Sequence, residues 1–411
     1  MSTTGPQTTP EGPDGTAPAG AAGAAEPIAG GSASSPSVDA STSTATGTAT
    51  DTDTNTDTDA AVPAHHGDPP AEQRAMARSA AAVDRSHRDV LAVTGEERLS
   101  WLHLLLTQHV SELPPGTGTE ALVLDVQGRV LHHMGVAATD DTVYLDTEPG
   151  EGAALLDYLR KMVFWSKVEP RDATTELAVF TVVGPDVADV LERAGLPVPP
   201  APHGVAGLPD GGFVRRTPWP GKDAADVVVP REERGTWWSA LTAAGARAAG
   251  TIAFEALRVE SRAPRLHRDT DERTIPHEVG WIGPAVHLTK GCYRGQETVA
   301  RVANLGRPPR RQVLLHLDAG DEDLPRTGDP VHRDGRVVGR VGTVVQHHEL
   351  GPIALALVKR SVPVDAELTA GIDDRVSPVT IDPDSYEPDP DRPPPGRAAR
   401  ERAGGGPGRR S

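Results

Sequence analysis

Cysteine is nearly absent: Cys292 is the single thiol in a chain of 411 residues. That excludes an intrachain disulfide and fits a reducing compartment. One thiolate also cannot supply the ligand set of an iron–sulfur cluster, so any role with clusters would be played without holding a conventional one alone. Long hydrophobic runs are missing too. No stretch approaches the about 18 apolar residues that a membrane span needs. The N-terminus has neither a basic n-region nor an apolar h-region, so no secretory signal is expected. A cytoplasmic protein without a membrane partner follows as the expectation. Neither a G-x-G-x-x-G nor a Walker pattern follows any strand-like segment, which argues against the common nucleotide folds.

Large apolar side chains are scarce at both ends. Residues 1–75 are almost entirely Ala, Gly, Ser, Thr, Pro and Asp. Such a segment buries too little surface to offset the entropy of ordering it, and a disordered tail is expected. The run Asp51–Asp59 alternates with Thr and Asn but lacks the turn glycine and distal Glu of a calcium loop. Residues 382–411, rich in Pro, Arg and Gly, read as a second tail. The formal charge of −17 is uneven, because residues 1–75 hold ten acidic residues and one basic one. The remainder is only mildly acidic, so a broad nucleic-acid footprint and stable nucleic-acid binding are not expected.

Between the tails the pattern alternates short strands and helices. Asp89–Thr94 reads as a strand, and Leu99, Leu102, Leu106 and Val110 give Glu96–Val110 a helical period. Ala121–Asp125, a Gln127-Gly128 turn and the segment from Val130 read as a hairpin. Val143–Asp146, Leu177–Val183 and Asp226–Val229 read as strands. Gly152–Val163, Asp186–Ala194, Trp237–Ala244 and Ile252–Arg262 read as helices. Residues 196–212, rich in Pro and Gly, form a connector. From Arg311 the texture becomes β-rich, with Asp334-Gly335 as a two-residue hairpin turn and Gly339 and Gly342 as bulge positions. The expected class is α+β with antiparallel sheets, residues 76–307 forming one domain of two subdomains and 308–381 a small antiparallel barrel.

The densest chemistry lies in Lys290-Gly291-Cys292-Tyr293-Arg294-Gly295-Gln296-Glu297. It places the only thiol between two glycines and two cations. The glycines allow a tight loop, and Lys290 and Arg294 favour the thiolate. Gln296 and Glu297 offer the acceptors and amide donors that a pterin edge requires. The same residues also read as a glycine-rich turn around an inert cysteine.

This octapeptide resembles, over all eight positions, the signature of the YgfZ folate-binding family, which is related to the glycine-cleavage T-protein. Val93-Thr94-Gly95 with the Leu-rich helix resembles the family's opening, and Leu124–Arg129 its D-x-x-G-[RK] hairpin. Phe254–Glu260 resembles the helix shared with T-proteins, and Thr274–Glu278 the segment before the signature. Leu305–Arg311 resembles an extension of actinobacterial members. The likeness spans residues 85–380. It implies a three-part T-protein-like fold around a tetrahydrofolate pocket. It further implies that Glu260 holds the pterin, with Phe254, Arg258, Tyr293, Gln296 and Glu297 as further folate contacts, and that Cys292 and Lys290 carry the catalytic chemistry.

The resemblance implies an accessory role in iron–sulfur cluster assembly or repair, and through it in tRNA modification, with iron–sulfur enzymes or assembly factors as partners. A folate-dependent one-carbon (aminomethyl) transferase or demethylase is the alternative, and a non-catalytic scaffold a further one. T-proteins carry an aspartate after the hairpin turn, where this chain reads Val130-Leu131-His132-His133, which weakens glycine cleavage. Glu260-Ser261-Arg262 stands where relatives often have a glycine, so a different local turn is expected. His132 and His133, adjacent on a strand, point to opposite faces and do not suggest a shared metal; the same holds for His347-His348, and no metal site is expected. His277 is a candidate general base or a structural histidine, and Trp281 a possible pocket wall.

Overall fold

The structure, a computed structural model, describes residues 62–221, 223–305, 307–320 and 323–386. Two sheets and a closed barrel organise them. The first sheet has the strand order Thr117–Leu124, Val130–Ala138, Thr142–Thr147, Asp89–Thr94, Glu169–Asp172, and all of its pairings are antiparallel. The second runs Arg247–Ala249, Ala81–Asp84, Leu177–Val183, Ala224–Pro230, Phe213–Thr217, Val205–Gly207. It is antiparallel except where Ala81–Asp84 pairs parallel with Arg247–Ala249. The barrel closes in the order Arg310–Leu317, Gly351–Lys359, Arg336–His347, Pro330–Arg333, Leu368–Ala370, Ser377–Ile381.

Burial explains these elements. Leu177–Val183 is buried at every position. Its continuous apolar run therefore suits the middle of a sheet covered on both faces. The helix Gly152–Lys161 instead buries one stripe, Leu155, Leu156 and Leu159, against the first sheet. At about 1.5–3 kcal/mol per buried leucine, that stripe outweighs helix propensity. The helix Thr251–Glu260 is buried on several sides at once. Phe254 and Leu257 pack under the second sheet, and Val259 packs on the barrel. This one helix joins the second sheet to the barrel.

Several expectations need correction. Defined backbone begins well before residue 75: Pro69–Arg78 is a helix capped by Asp68, whose side chain accepts from the Ala71 amide at 2.9 Å. Buried Glu72 fixes it in place, accepting from the amides of His66 at 2.6 Å and Gly250 at 2.9 Å. The expected C-terminal tail likewise starts late, since Pro383–Ser385 forms a turn against the barrel. The rest of both expected tails lies outside the described residues. The helix expected over 96–110 spans only Arg98–Leu105, because Leu106 turns extended. The connector 196–212 contains the short strand Val205–Gly207. Strands Ala81–Asp84 and Phe213–Thr217 and the helix Gln296–Leu305 were not expected. In the barrel, Asp334 and Gly335 both have positive φ, 50° and 70°, and the ladder slips between Val341 and Val344 as the glycines suggested.

Candidate functional site

The two sheets and the long buried helix enclose a narrow inner cavity. The first sheet contributes Thr119, Glu120, His133, Gly135 and Asp146, and the second contributes Arg215, Thr217 and Asp226. Arg85, Arg88, Glu148, Arg258 and Arg265 complete much of the wall. Most of these charges are spent on each other. Arg215 bridges Asp226 at 2.6 Å and Asp146 at 2.7 Å. Arg88 donates to Asp146 at 2.9 Å and to Glu148 at 2.7 Å. Arg265 carries the chain from Glu148, at 2.6 Å, toward Glu255, and Arg258 closes it between Glu255 at 2.9 Å and Asp269 at 2.8 Å. Burial alone would raise Asp146, Glu148 and Glu255, yet the adjacent guanidiniums hold all three below the usual carboxylate range, Glu255 at about 2. Arg85 faces Phe254 instead, 4.1 Å above its ring, and burial lowers it to about 10. Gly135 makes room for the lattice: a β-carbon there would lie 2.4 Å from Asp146 Oδ1 and 2.6 Å from an Arg215 nitrogen.

A wider outer cavity opens beside the inner one and shares Glu120, Pro218, Trp219 and Pro264 with it. The shared corner differs from the lattice because its carboxylate faces no guanidinium within bonding distance among the described residues. Glu120 accepts from His133 Nε2 at 2.9 Å, taking that nitrogen as protonated, and from Trp219 Nε1 at 3.1 Å. Burial pushes Glu120 up, but these bonds prevail and keep it below its usual value. His133 stacks on Trp281, ring centres 4.7 Å apart at 23°. Trp281, Pro284, Val279 and His277 line the outer cavity further along. Burial pushes His277 down to about 4, and neither ring nitrogen has a partner, so the ring stays neutral through the physiological range.

The expected site residues fall in three places. Arg258 lines the inner cavity, tied into the ion lattice and to Thr343. Phe254, on the same helix, lies beneath the cavity rather than in its wall, packed on Trp219 with ring centres 6.2 Å apart. Glu260 lines neither cavity and stands half-exposed beside the barrel, 3.4 Å from His347 Nε2. The helical period turns Glu260 away from the face that carries Arg258.

The signature loop also lies outside both cavity walls. Lys290 is buried and donates to the carbonyls of His103 and Leu106, closing the C-terminal turn of helix Arg98–Leu105. Burial lowers it to about 8. Tyr293 packs in a core cluster with Trp281, Leu124 and Val130, one layer behind the cavity wall. Gln296 donates to the Lys290 carbonyl at 3.2 Å, and Glu297 is exposed with Arg301. Cys292 is exposed. The loop docks on the hairpin turn through Gly295, where φ is +81° and a β-carbon would lie 2.5 Å from the Asp125 carbonyl oxygen. His132 and His133 do face apart, toward Glu151 and Glu120. Among the described residues no cluster of three or more His, Cys, Asp or Glu side chains is arranged to hold a metal, and no helix is long and apolar enough to cross a membrane.

Glu120, Trp219 and the ion lattice were not foreseen. Asp226 within the apolar run Ala224–Pro230 was the readable signal, because a lone carboxylate in a buried strand requires a partner.

Residues 64–290 match the GCVT N-terminal domain, and residues 310–384 match the glycine cleavage T-protein C-terminal barrel domain. The chain belongs to this T-protein family, with its folate-binding fold. Similar proteins include an aminomethyltransferase of Streptomyces avermitilis, 27% identical over 335 residues that cover 77% of this chain and 88% of the relative. An aminomethyltransferase of Geobacillus kaustophilus is 30% identical over 309 residues, 71% of this chain and 82% of the relative. The crystal structure of glycine cleavage system aminomethyltransferase T from Bartonella henselae shares the fold, with a TM-score of 0.68 at 19% identity over 76% of this chain and 88% of that one.

Proposed function

We propose that the chain binds tetrahydrofolate, or a one-carbon derivative of it, and takes part in folate-dependent one-carbon transfer. The observation that carries this reading is the corner where the two cavities meet. Glu120 is a buried carboxylate kept ionised by His133 and Trp219, and each oxygen retains a lone pair for a further donor. A pterin edge presents paired N–H donors of the kind a carboxylate accepts bidentately. Trp219 and Trp281 offer flat apolar walls for a heterocycle. The folate would supply the one-carbon unit on its ring nitrogens. His133, bonded to Glu120, is the group placed to hold or move a proton at that edge. The aminomethyltransferase relatives support transfer, whereas the hairpin run Val130–His133 without a carboxylate argues against glycine cleavage itself.

Calorimetric titration with tetrahydrofolate under reducing conditions tests the reading. Glu120→Gln is expected to weaken binding about tenfold or more, since a charged acceptor is lost from a buried site. Glu260→Ala is expected to bind as the parent does. Loss in the Glu260 variant with full binding by the Glu120 variant would overturn the assignment.

A second reading is favoured by one feature, the exposed Cys292 in a complete YgfZ-type signature. There the folate pocket and the thiol would serve separate tasks, the thiol acting on iron–sulfur enzymes or their assembly factors. Full restoration of cluster-enzyme activity by Cys292→Ala, in cells lacking the protein, would dismiss it.

A further inference from the structure

The turn after helix Gly152–Lys161 carries the two most exposed large apolar side chains among the described residues: Phe164 is 79% exposed and Trp165 96%. They are not on a loose segment. The Ser166 amide donates to the Val163 carbonyl at 2.8 Å, so Phe164 and Trp165 are the central pair of a tight turn. On one side the Met162 carbonyl accepts from Trp101 Nε1 at 2.9 Å, and Met162 and Val163 pack on the core of the first sheet. On the other the Lys167 amide donates to the Glu97 carboxylate at 2.6 Å. Phe164 itself has φ +42°, in the left-handed region where such a turn favours glycine or asparagine. A bulky ring is held there against its steric preference, beside an indole left in water. Strain of this kind persists where the side chain has a task.

Charge around the turn selects among the surfaces that could cover it. Lys161 pairs with Asp157 at 2.5 Å and Lys167 with Glu96 at 3.2 Å, and all four side chains are well exposed. Arg160 and Glu169 add one exposed charge of each sign. The ring around the aromatics is therefore balanced. An anionic lipid surface attracts segments with an excess of Lys and Arg, and the balance removes that attraction. A second copy of the chain meets this patch with the same patch turned by a twofold axis, so a ring of one sign would repel itself. A balanced ring does not, because each lysine finds an equivalent carboxylate across the axis. Area sets the strength. Two aromatic side chains this exposed offer roughly 300–400 Å² per copy, so two copies cover about 600–800 Å² of apolar surface. Stable interfaces begin at about 1,200 Å², which makes this contact weak and concentration-dependent.

We infer that the Phe164–Trp165 turn is a self-association surface through which two copies of the chain meet about a twofold axis. Trp165 of each copy lies against Phe164 of the other, in the offset or edge-on geometry that aromatic pairs favour. The Lys161–Asp157 and Lys167–Glu96 pairs form the rim. Neither Phe164 nor Trp165 lines a cavity, so the contact neither depends on the folate reading above nor alters it.

Sedimentation velocity of the full chain over a concentration series up to about 300 µM tests it, well above the dissociation constant expected for so small a contact. Trp165→Ser and Phe164→Gly are run beside the parent. Trp165 stands outside the core and glycine suits the positive φ, so both variants fold, as a thermal melt verifies. The parent is expected to dimerise with a dissociation constant of about 10–100 µM, and Trp165→Ser to weaken this about tenfold or more. Phe164→Gly is expected to weaken it as well. A parent that sediments as a monomer throughout overturns the surface. If that parent then pellets with phosphatidylserine vesicles and Trp165→Ser does not, the turn belongs to a lipid surface instead. Dimerisation that is unchanged in Trp165→Ser places the contact elsewhere and overturns the inference equally.

Discussion

The inner cavity and the signature loop both adjoin the hairpin, one through its strands and the other through its turn, yet they are built on opposite plans. The charged residues of the cavity wall are single positions spread from Arg85 to Arg265 and brought together largely by pairing in two sheets. The loop is eight consecutive residues whose chemistry is mostly turned to holding the fold. Lys290 closes a helix, Tyr293 fills a core, Gln296 closes the loop, and Gly295 allows the hairpin to approach. Density of motif along the chain and density of chemistry in space are therefore separate properties here. Only Cys292 of the eight combines a reactive group with exposure and freedom from the fold.

The strongest way to break this contrast is to cut the lattice. Asp146→Ala leaves the Arg88 and Arg215 guanidiniums buried without their shared carboxylate. A loss of about 3–5 kcal/mol is expected, the usual result of removing one partner from a buried charge pair. Urea unfolding measures it, and a variant as stable as the parent would show the lattice to be ornamental. The parent's pH dependence gives the same information. Asp146, Glu148 and Glu255 have folded values below their unfolded ones, so their stabilisation is complete above about pH 4.5. It is lost as pH falls through the folded values, toward about 2 for Glu255. The acid limb of the stability curve should be steep in the parent and shallower in Asp146→Ala.

A smaller effect separates the two glycines of the signature. Gly295 has φ +81° and would place a β-carbon 2.9 Å from the Gly128 α-carbon. Gly295→Ala is expected to destabilise by about 2 kcal/mol or more, because both the dihedral and the backbone approach resist it. Gly291 has open space around its β-carbon position and no left-handed backbone, so Gly291→Ala should change stability by less than about 0.5 kcal/mol. Equal melting temperatures for the two variants would mean that the loop does not dock on the hairpin.

How much of this was legible follows from the range of each signal. Leu177–Val183 and the Asp334-Gly335 turn were readable because local pattern decides them. The barrel was readable from β texture and turn glycines over a continuous segment. The helix Gln296–Leu305 was missed because its start overlaps a glycine-rich loop. Strand Phe213–Thr217 was missed because Arg215 and Arg216 spoil its apolar run, and Arg215 is buried only by virtue of Asp146 and Asp226. Glu260 shows the converse: a motif singles it out, but the side a helix turns to a cavity depends on what packs around it. Glu120 had no local mark at all, since its role depends on Trp219, 99 residues away.

The smallest expected effect bears most directly on the contrast. Cys292→Ala should leave stability within about 0.5 kcal/mol, as an exposed side chain outside a packed core contributes little. The informative measurement is the rate at which a disulfide reagent modifies Cys292 in the folded protein, with and without saturating tetrahydrofolate. If the thiol stands apart from the pocket, one equivalent reacts readily and the folate leaves the rate unchanged. Protection by folate would bring the loop and the cavity into one site, and the separation drawn from the geometry would fall. An unchanged rate, together with folate binding that survives Cys292→Ala, would leave the thiol available to a protein partner while the pocket is full. A folate-binding protein with a second task requires that independence; a simple transferase does not.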